Sequence, residues 1–235
     1  MRVDIGASII EYEIDYSRRK TMSITVKPDG TIRVAAPKGT AGKTVQDWVA
    51  SKSKWIADKL AEVAVAHRDT VPRSYQSGEE FAYLGQPMRL ELFCDPQQTK
   101  TKVRLREGTI QISGPDCSPP TVQAALETWY RWAAGRYIQA RVGHYQTPVG
   151  RPPGRITIRE QKTRWGSCSA RGNLNFNWRI MMAPPEIIDY LVVHELCHLV
   201  HLDHSPQFWK LVGSIIPDYK ARQNWLRHNG PQLRI

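Results

Sequence analysis

Polar and apolar residues alternate along residues 9–36. IIEYEIDYS sets Ile10, Tyr12, Ile14 and Tyr16 on one face, the period of a half-buried strand. MSITVKPDGTIRVAAP reads as two more strands joined at Pro28-Asp29-Gly30, a hairpin signal. The period then lengthens. In KTVQDWVASKSKWIADKLAEVAVAH, Val45, Trp48, Val49, Lys52, Ile56 and Leu60 recur near helical spacing, which predicts one amphipathic helix. Residues 68–79 are polar and carry Pro72 and Gly78, which predicts a loop. Short strands return in EFAYLG, MRLELF, KVRLRE and TIQIS. SGPDCSPP, at 113–120, breaks this pattern and predicts a boundary between an N-terminal β-rich domain with one helix, 1–118, and a second domain, 119–235.

The second half is mainly helical. TVQAALETWYRWAAGRYIQARVGHYQ predicts a long helix capped at Thr121 and broken by TPVGRPPG. RITIRE is a short strand. QKTRWGSCSARGNLNFNWRI reads as a loop or strand, a turn at Arg171-Gly172-Asn173, and a strand. APPEIIDYLVVHELCHLVHL predicts a helix with Pro185 in its first turn. Ser205-Pro206 reads as the N-cap and first residue of another, and after Pro217 a last helix runs to about His228. No internal repeat stands out. The sum is an α+β protein.

Composition adds bounds rather than a function. The chain has 235 residues, enough for a substantial core. No apolar h-region follows the N-terminus and no apolar run of about 18 residues occurs, so neither a secretory signal nor a membrane span is expected. Cys94, Cys117, Cys168 and Cys197 form no C-x-x-C pair and do not resemble a disulfide framework; a reducing cytoplasm fits. The net charge of +11 can attract nucleic acid or phosphorylated ligands, but Lys and Arg are spread from Arg2 to Arg234, as on a solvated basic surface.

The chemistry lies in LVVHELCHLVHLDH, residues 191–204, where four histidines and a glutamate interrupt an apolar run. His194-Glu195-Leu196-Cys197-His198 is H-E-x-x-H. Residues four apart share one helix face, so both imidazoles can meet one ion, with Glu195 placed to act as general base to the metal's water. A zinc hydrolase needs a third protein ligand and an open fourth position. His204, beyond a turn at Asp203-His204-Ser205-Pro206, is favoured over His201 or a downstream carboxylate, because it approaches from a new direction. His144 and His228 read as surface or structural residues. Arg164-Trp165-Gly166-Ser167-Cys168 reads either as a substrate-lining strand or as a packed turn, and Cys197 as a small core residue.

These two motifs, in this order and spacing, resemble the YgjP-like, WGSC-type metallopeptidase-like hydrolases, relatives of the SprT-like and minigluzincin zincins. YSRRKTMSITVKPDGTIRVAAPKG, WVASKSKWIADKL and YLGQPMRLEL resemble further parts of that family, so the resemblance covers most of the chain. It implies a zincin-like second domain with one zinc ion, with His194, His198 and His204 as ligands and Glu195 as the catalytic acid/base. The spacing H-E-x-x-H-x5-H also overlaps the metzincin pattern, but that pattern has Gly where His201 stands.

Three functions follow as expectations. The first is a peptidase, with Arg164, Trp165, Gly166, Ser167 and Tyr219 near its peptide or protein substrate, and Arg164, His201, Tyr190 or Tyr219 stabilising the oxyanion. The second is a nucleotide phosphohydrolase on the same metal, motivated by the basic charge but without a glycine-rich phosphate loop. The third is a nucleic-acid-associated protein, which lacks an interleaved aromatic and basic stretch.

Overall fold

Alternating residues build the first sheet of the computed structural model, which describes residues 2–4, 9–27, 29–68, 73–161 and 163–235. Pro28 of the expected hairpin turn, residues 69–72 of the expected loop and Lys162 lie outside them. Contacts divide the chain into two compact units, 1–71 and 72–235. In the first, β1 (Arg2–Asp4), β2 (Ile9–Ser17), β3 (Ser23–Val26) and β4 (Ile32–Pro37) form a sheet in the order β1-β2-β4-β3. Ile10, Tyr12, Ile32, Val34 and Ala36 bury one face against Val45, Val49 and Ile56. Those last residues come from two helices, α1 (Gly42–Ala50) and α2 (Ser53–Arg68), where the periodicity had predicted one. The break is local chemistry. The Lys52 N–H turns to the Val49 carbonyl, and the Ser51 hydroxyl donates to the Trp48 carbonyl at 2.7 Å.

The second unit opens with β5 (Glu80–Tyr83), β6 (Gln86–Cys94), β7 (Lys102–Arg106) and β8 (Thr109–Gly114), ordered β5-β6-β8-β7. This repeats the first sheet. In both, the central pair is parallel, the flanking pairs are antiparallel, and a helix follows. The expectation of no internal repeat is therefore corrected. Once the strands are paired, faint identities align: Gly30-Thr31-Ile32 with Gly108-Thr109-Ile110, and Thr44-Val45-Gln46 with Thr121-Val122-Gln123. Ile110 and Val122 are fully buried, and Val45 likewise. Gly30 and Gly108 both turn their hairpins at positive φ, +82° and +65°.

The long helix α3 (Pro119–Val149) has Ser118, not Thr121, at its N-cap position and runs on through Thr147 to Val149. Pro148 sits in its last turn, and Gly150 ends it in the left-handed region. After it come β9 (Ile156–Arg159), β10 (Gly166–Cys168) and β11 (Leu174–Asn177), in the order β10-β11-β9, and then α4 (Pro185–Cys197), α5 (Pro206–Ile215) and α6 (Tyr219–Asn229).

The division falls at 71/72 rather than at 118/119 because the β5–β8 sheet has no core of its own. Phe81, Leu90, Ile110 and Ile112 share one cluster with α3 and α4. The Tyr130 hydroxyl on α3 donates to the Ala82 carbonyl at 2.6 Å, and the Leu84 N–H donates to the Met181 carbonyl at 2.8 Å. A disulfide also joins Cys94 to Cys117, contrary to the expectation of no disulfide. The parallel pairing of β6 with β8 sets Cys94 opposite Gly114, which brings Cys117 to a Cα–Cα distance of 5.8 Å, within disulfide reach. Among the described residues no helix is long and apolar enough to cross a membrane.

A Cβ at position 108 would meet nothing within 4 Å, so only the backbone opposes a side chain there. Gly108→Ala is expected to cost about 1 kcal/mol and to lower the melting temperature by roughly 2–4 °C. An unchanged melting temperature would show that the turn tolerates alanine.

Candidate metal centre

The helix that carries H-E-x-x-H is almost wholly buried. Ile187, Ile188, Leu191, Val192, Val193 and Leu196 pack α4 into the core, and Cys197 is a fully buried core residue with them. Arg141 on α3 anchors it, with Nε 2.6 Å from Asp189 Oδ1 and Nη2 2.8 Å from Oδ2, while the Tyr145 hydroxyl donates to Oδ2 at 3.1 Å. The helix ends sooner than expected, at Cys197, because the Leu199 and Val200 N–H groups turn back to the Leu196 and Cys197 carbonyls. The chain then reverses, and α5 begins as read: Ser205 caps it by accepting from the Phe208 N–H at 3.4 Å.

This reversal gathers His194, His198 and His204, whose ligand atoms all lie within 4.8 Å of one another. His201 is not part of the cluster; its backbone carbonyl accepts from His198 Nδ1 at 3.0 Å. That bond puts the proton of His198 on Nδ1 and leaves Nε2 free as a lone pair. His194 and His204 face each other with their Nε2 atoms 3.1 Å apart. Two nitrogens each about 2.0–2.1 Å from a tetrahedral zinc lie roughly 3.3 Å apart, so the spacing fits one ion. Burial first, and then the neighbouring His198 and His204, push His194 down to about 3, which favours the neutral, metal-binding form. Phe208, fully buried, stacks on His198 at 4.5 Å and meets the other two rings edge-on at 5.0 and 4.9 Å. Trp209 stacks on His204 at 5.5 Å. Neither aromatic was singled out from the sequence; the signal was their place directly after the Ser205 cap.

Glu195 is 4% exposed, and its Oε2 has no hydrogen-bond partner. Burial pushes its carboxyl up to about 8, opposed by the charge of Arg164. Gly166 makes the space for it: a Cβ there would fall 2.7 Å from Glu195 Cγ and 2.8 Å from its Cδ. Three converging imidazoles and a buried carboxyl with one unpartnered oxygen suit a divalent cation and its water, whose charge would favour the ionised carboxylate.

The other expected site residues are spread around this centre. Ser167 Oγ accepts from Asn175 across the strand pair at 3.2 Å, and Trp165 packs its ring against Gly230. Tyr219 stacks on Trp209 at 5.2 Å. Cys168 is half-buried and outside the imidazole cluster; burial and then Glu195 push its thiol up, so it is not an activated nucleophile. His144 stands edge-on to Tyr145 at 4.7 Å, and His228 bonds the Asn224 carbonyl.

The family model of the YgjP-like metallopeptidase domain matches residues 20–229. The chain belongs to the YgjP-like family. A solved structure, the metallopeptidase zymogen abylysin of Pyrococcus abyssi, is similar at 24% identity and a TM-score of 0.35, over 37% of this chain and 89% of that one. No curated protein matches the chain. Membership of a metallopeptidase family implies a metal, and among the described residues the His194, His198 and His204 cluster is the group able to hold it.

Elemental analysis of the purified YgjP-like chain should find about one zinc per molecule, lost or sharply reduced in His204→Ala and kept in His201→Ala. Equal loss in both variants would contradict the cluster drawn here.

Proposed function

We propose that this YgjP-like protein is a zinc-dependent peptidase in which His194, His198 and His204 hold the ion and Glu195 is the general acid/base. The observation that carries this reading is the buried carboxyl of Glu195, one oxygen unpartnered, on the residue next to His194 in a cluster of three converging imidazoles. The metal, when bound, supplies Lewis acidity, polarising the scissile carbonyl and making water nucleophilic near neutral pH. Glu195 takes a proton from the attacking water and returns it to the leaving amine.

The chain's own strand offers a place for the substrate. β10 pairs with β11 along one edge and with no other described strand. The Trp165 carbonyl and the Ser169 N–H bond towards β11, so by alternation the backbone groups of Gly166 and Cys168 face the open edge. An extended peptide added there runs past Glu195. The charge of Arg164 acts on Glu195, and Glu195 acts in turn on the Tyr190 phenol, so these two are kept as candidates for stabilising the oxyanion. Burial pushes the Tyr190 phenol up to about 12, which keeps it a donor at neutral pH. The nucleotide reading has less support, since no glycine-rich phosphate loop adjoins the cluster in the sequence.

Two variants test this. Glu195→Gln should keep its zinc and lose at least about a hundredfold in peptide cleavage, the scale of a general base. Gly166→Ala should also keep zinc and lose activity, because its methyl group displaces the carboxylate. Undiminished cleavage in Glu195→Gln would end the reading, and so would release of phosphate from nucleotides with no cleavage of peptides.

A further inference from the structure

A cleft of about 440 Å³ opens beside the imidazole cluster, lined by Trp209, Tyr219, Lys220, Gln223 and Asn224. Two routes connect it to the centre. Trp209 stacks on His204 and reaches within 5.7 Å of the His194 ring. Gln223 bonds the hydroxyl of Tyr190, whose ring lies 5.9 Å from His194. The cleft therefore adjoins the place where a substrate bond would sit, within about two residues of extended chain at roughly 3.3 Å each.

Its chemistry is selective. The wall is aromatic, the rim carries the amides of Gln223 and Asn224, and its one charged lining residue is Lys220. The nearest acid in sequence, Asp218, is engaged with Arg222 at 3.0 Å, and Lys220 forms no ion pair among the described residues. An acidic side chain meets all three features: its methylenes lie on the aromatic wall, and its carboxylate meets the amide donors and the ammonium.

We infer that this cleft is a subsite for an aspartate or glutamate side chain flanking the cleaved bond, with Lys220 as the specificity-determining residue. The inference rests on the peptidase reading, and its test separates the two. Zinc-loaded Glu195→Gln protein is titrated calorimetrically with neutral peptides in which one glutamate is moved along the sequence, each paired with its glutamine counterpart. At one position the glutamate peptide should bind about fivefold tighter, the scale of a solvent-exposed ion pair. Adding Lys220→Ala should erase that ratio, and Lys220→Glu should invert it. A ratio near one at every position, or a ratio insensitive to both Lys220 variants, overturns the subsite, as does failure to bind any of the peptides. Turnover by the wild type is read separately. Cleavage without a Lys220-dependent preference removes the subsite and leaves the peptidase. Lys220-dependent binding without turnover removes the peptidase and leaves the subsite.

Discussion

A carboxylate taken out of water with one oxygen unpartnered costs about 1–3 kcal/mol or more, a sizeable part of the roughly 5–15 kcal/mol that holds a domain together. Glu195 is placed in that position, on a helix whose other faces are core. The surrounding structure is what makes this tolerable. α3 grips α4 through Arg141, Tyr145 and Asp189. Gly166 leaves a recess of the right size on the adjoining strand. Phe208 backs all three imidazoles at once. Of the three imidazoles only that of His204 is exposed, and the outer edge of β10 pairs with no described strand.

The same economy appears in the way the third imidazole arrives. α4 stops at the second histidine of its motif, and the turn that follows uses the carbonyl of His201, not its ring, to orient His198. One reversal of chain direction therefore brings in the third imidazole, fixes a tautomer and starts α5. The cap at Ser205 and the aromatic pair after it complete that turn from the other side.

Much of this was legible before any coordinates. Hydrophobic periodicity located the strands and most helices, since buried faces impose their repeat on the chain. H-E-x-x-H and the Ser205-Pro206 signal named the residues that converge, because helix geometry and capping are local. What was hidden depended on pairing between distant strands. The disulfide follows from the parallel register of β6 with β8, the division at 71/72 from a core shared with α3, and the repeated sheet from identities too sparse to notice until the strands are aligned. Gly166 belongs to the same class: its role is set by contact with Glu195, on an element 29 residues away in the numbering.

In the proposed centre three imidazoles share one ion and Glu195 is left free. X-ray absorption at the zinc edge of the loaded protein reads the ligand set directly. It should show only nitrogen and oxygen neighbours at about 2.0–2.1 Å, with the outer-shell scattering of imidazole rings and no sulfur. A sulfur shell near about 2.3 Å would mean that Cys168 or another thiol holds the metal, and the centre described here would be wrong.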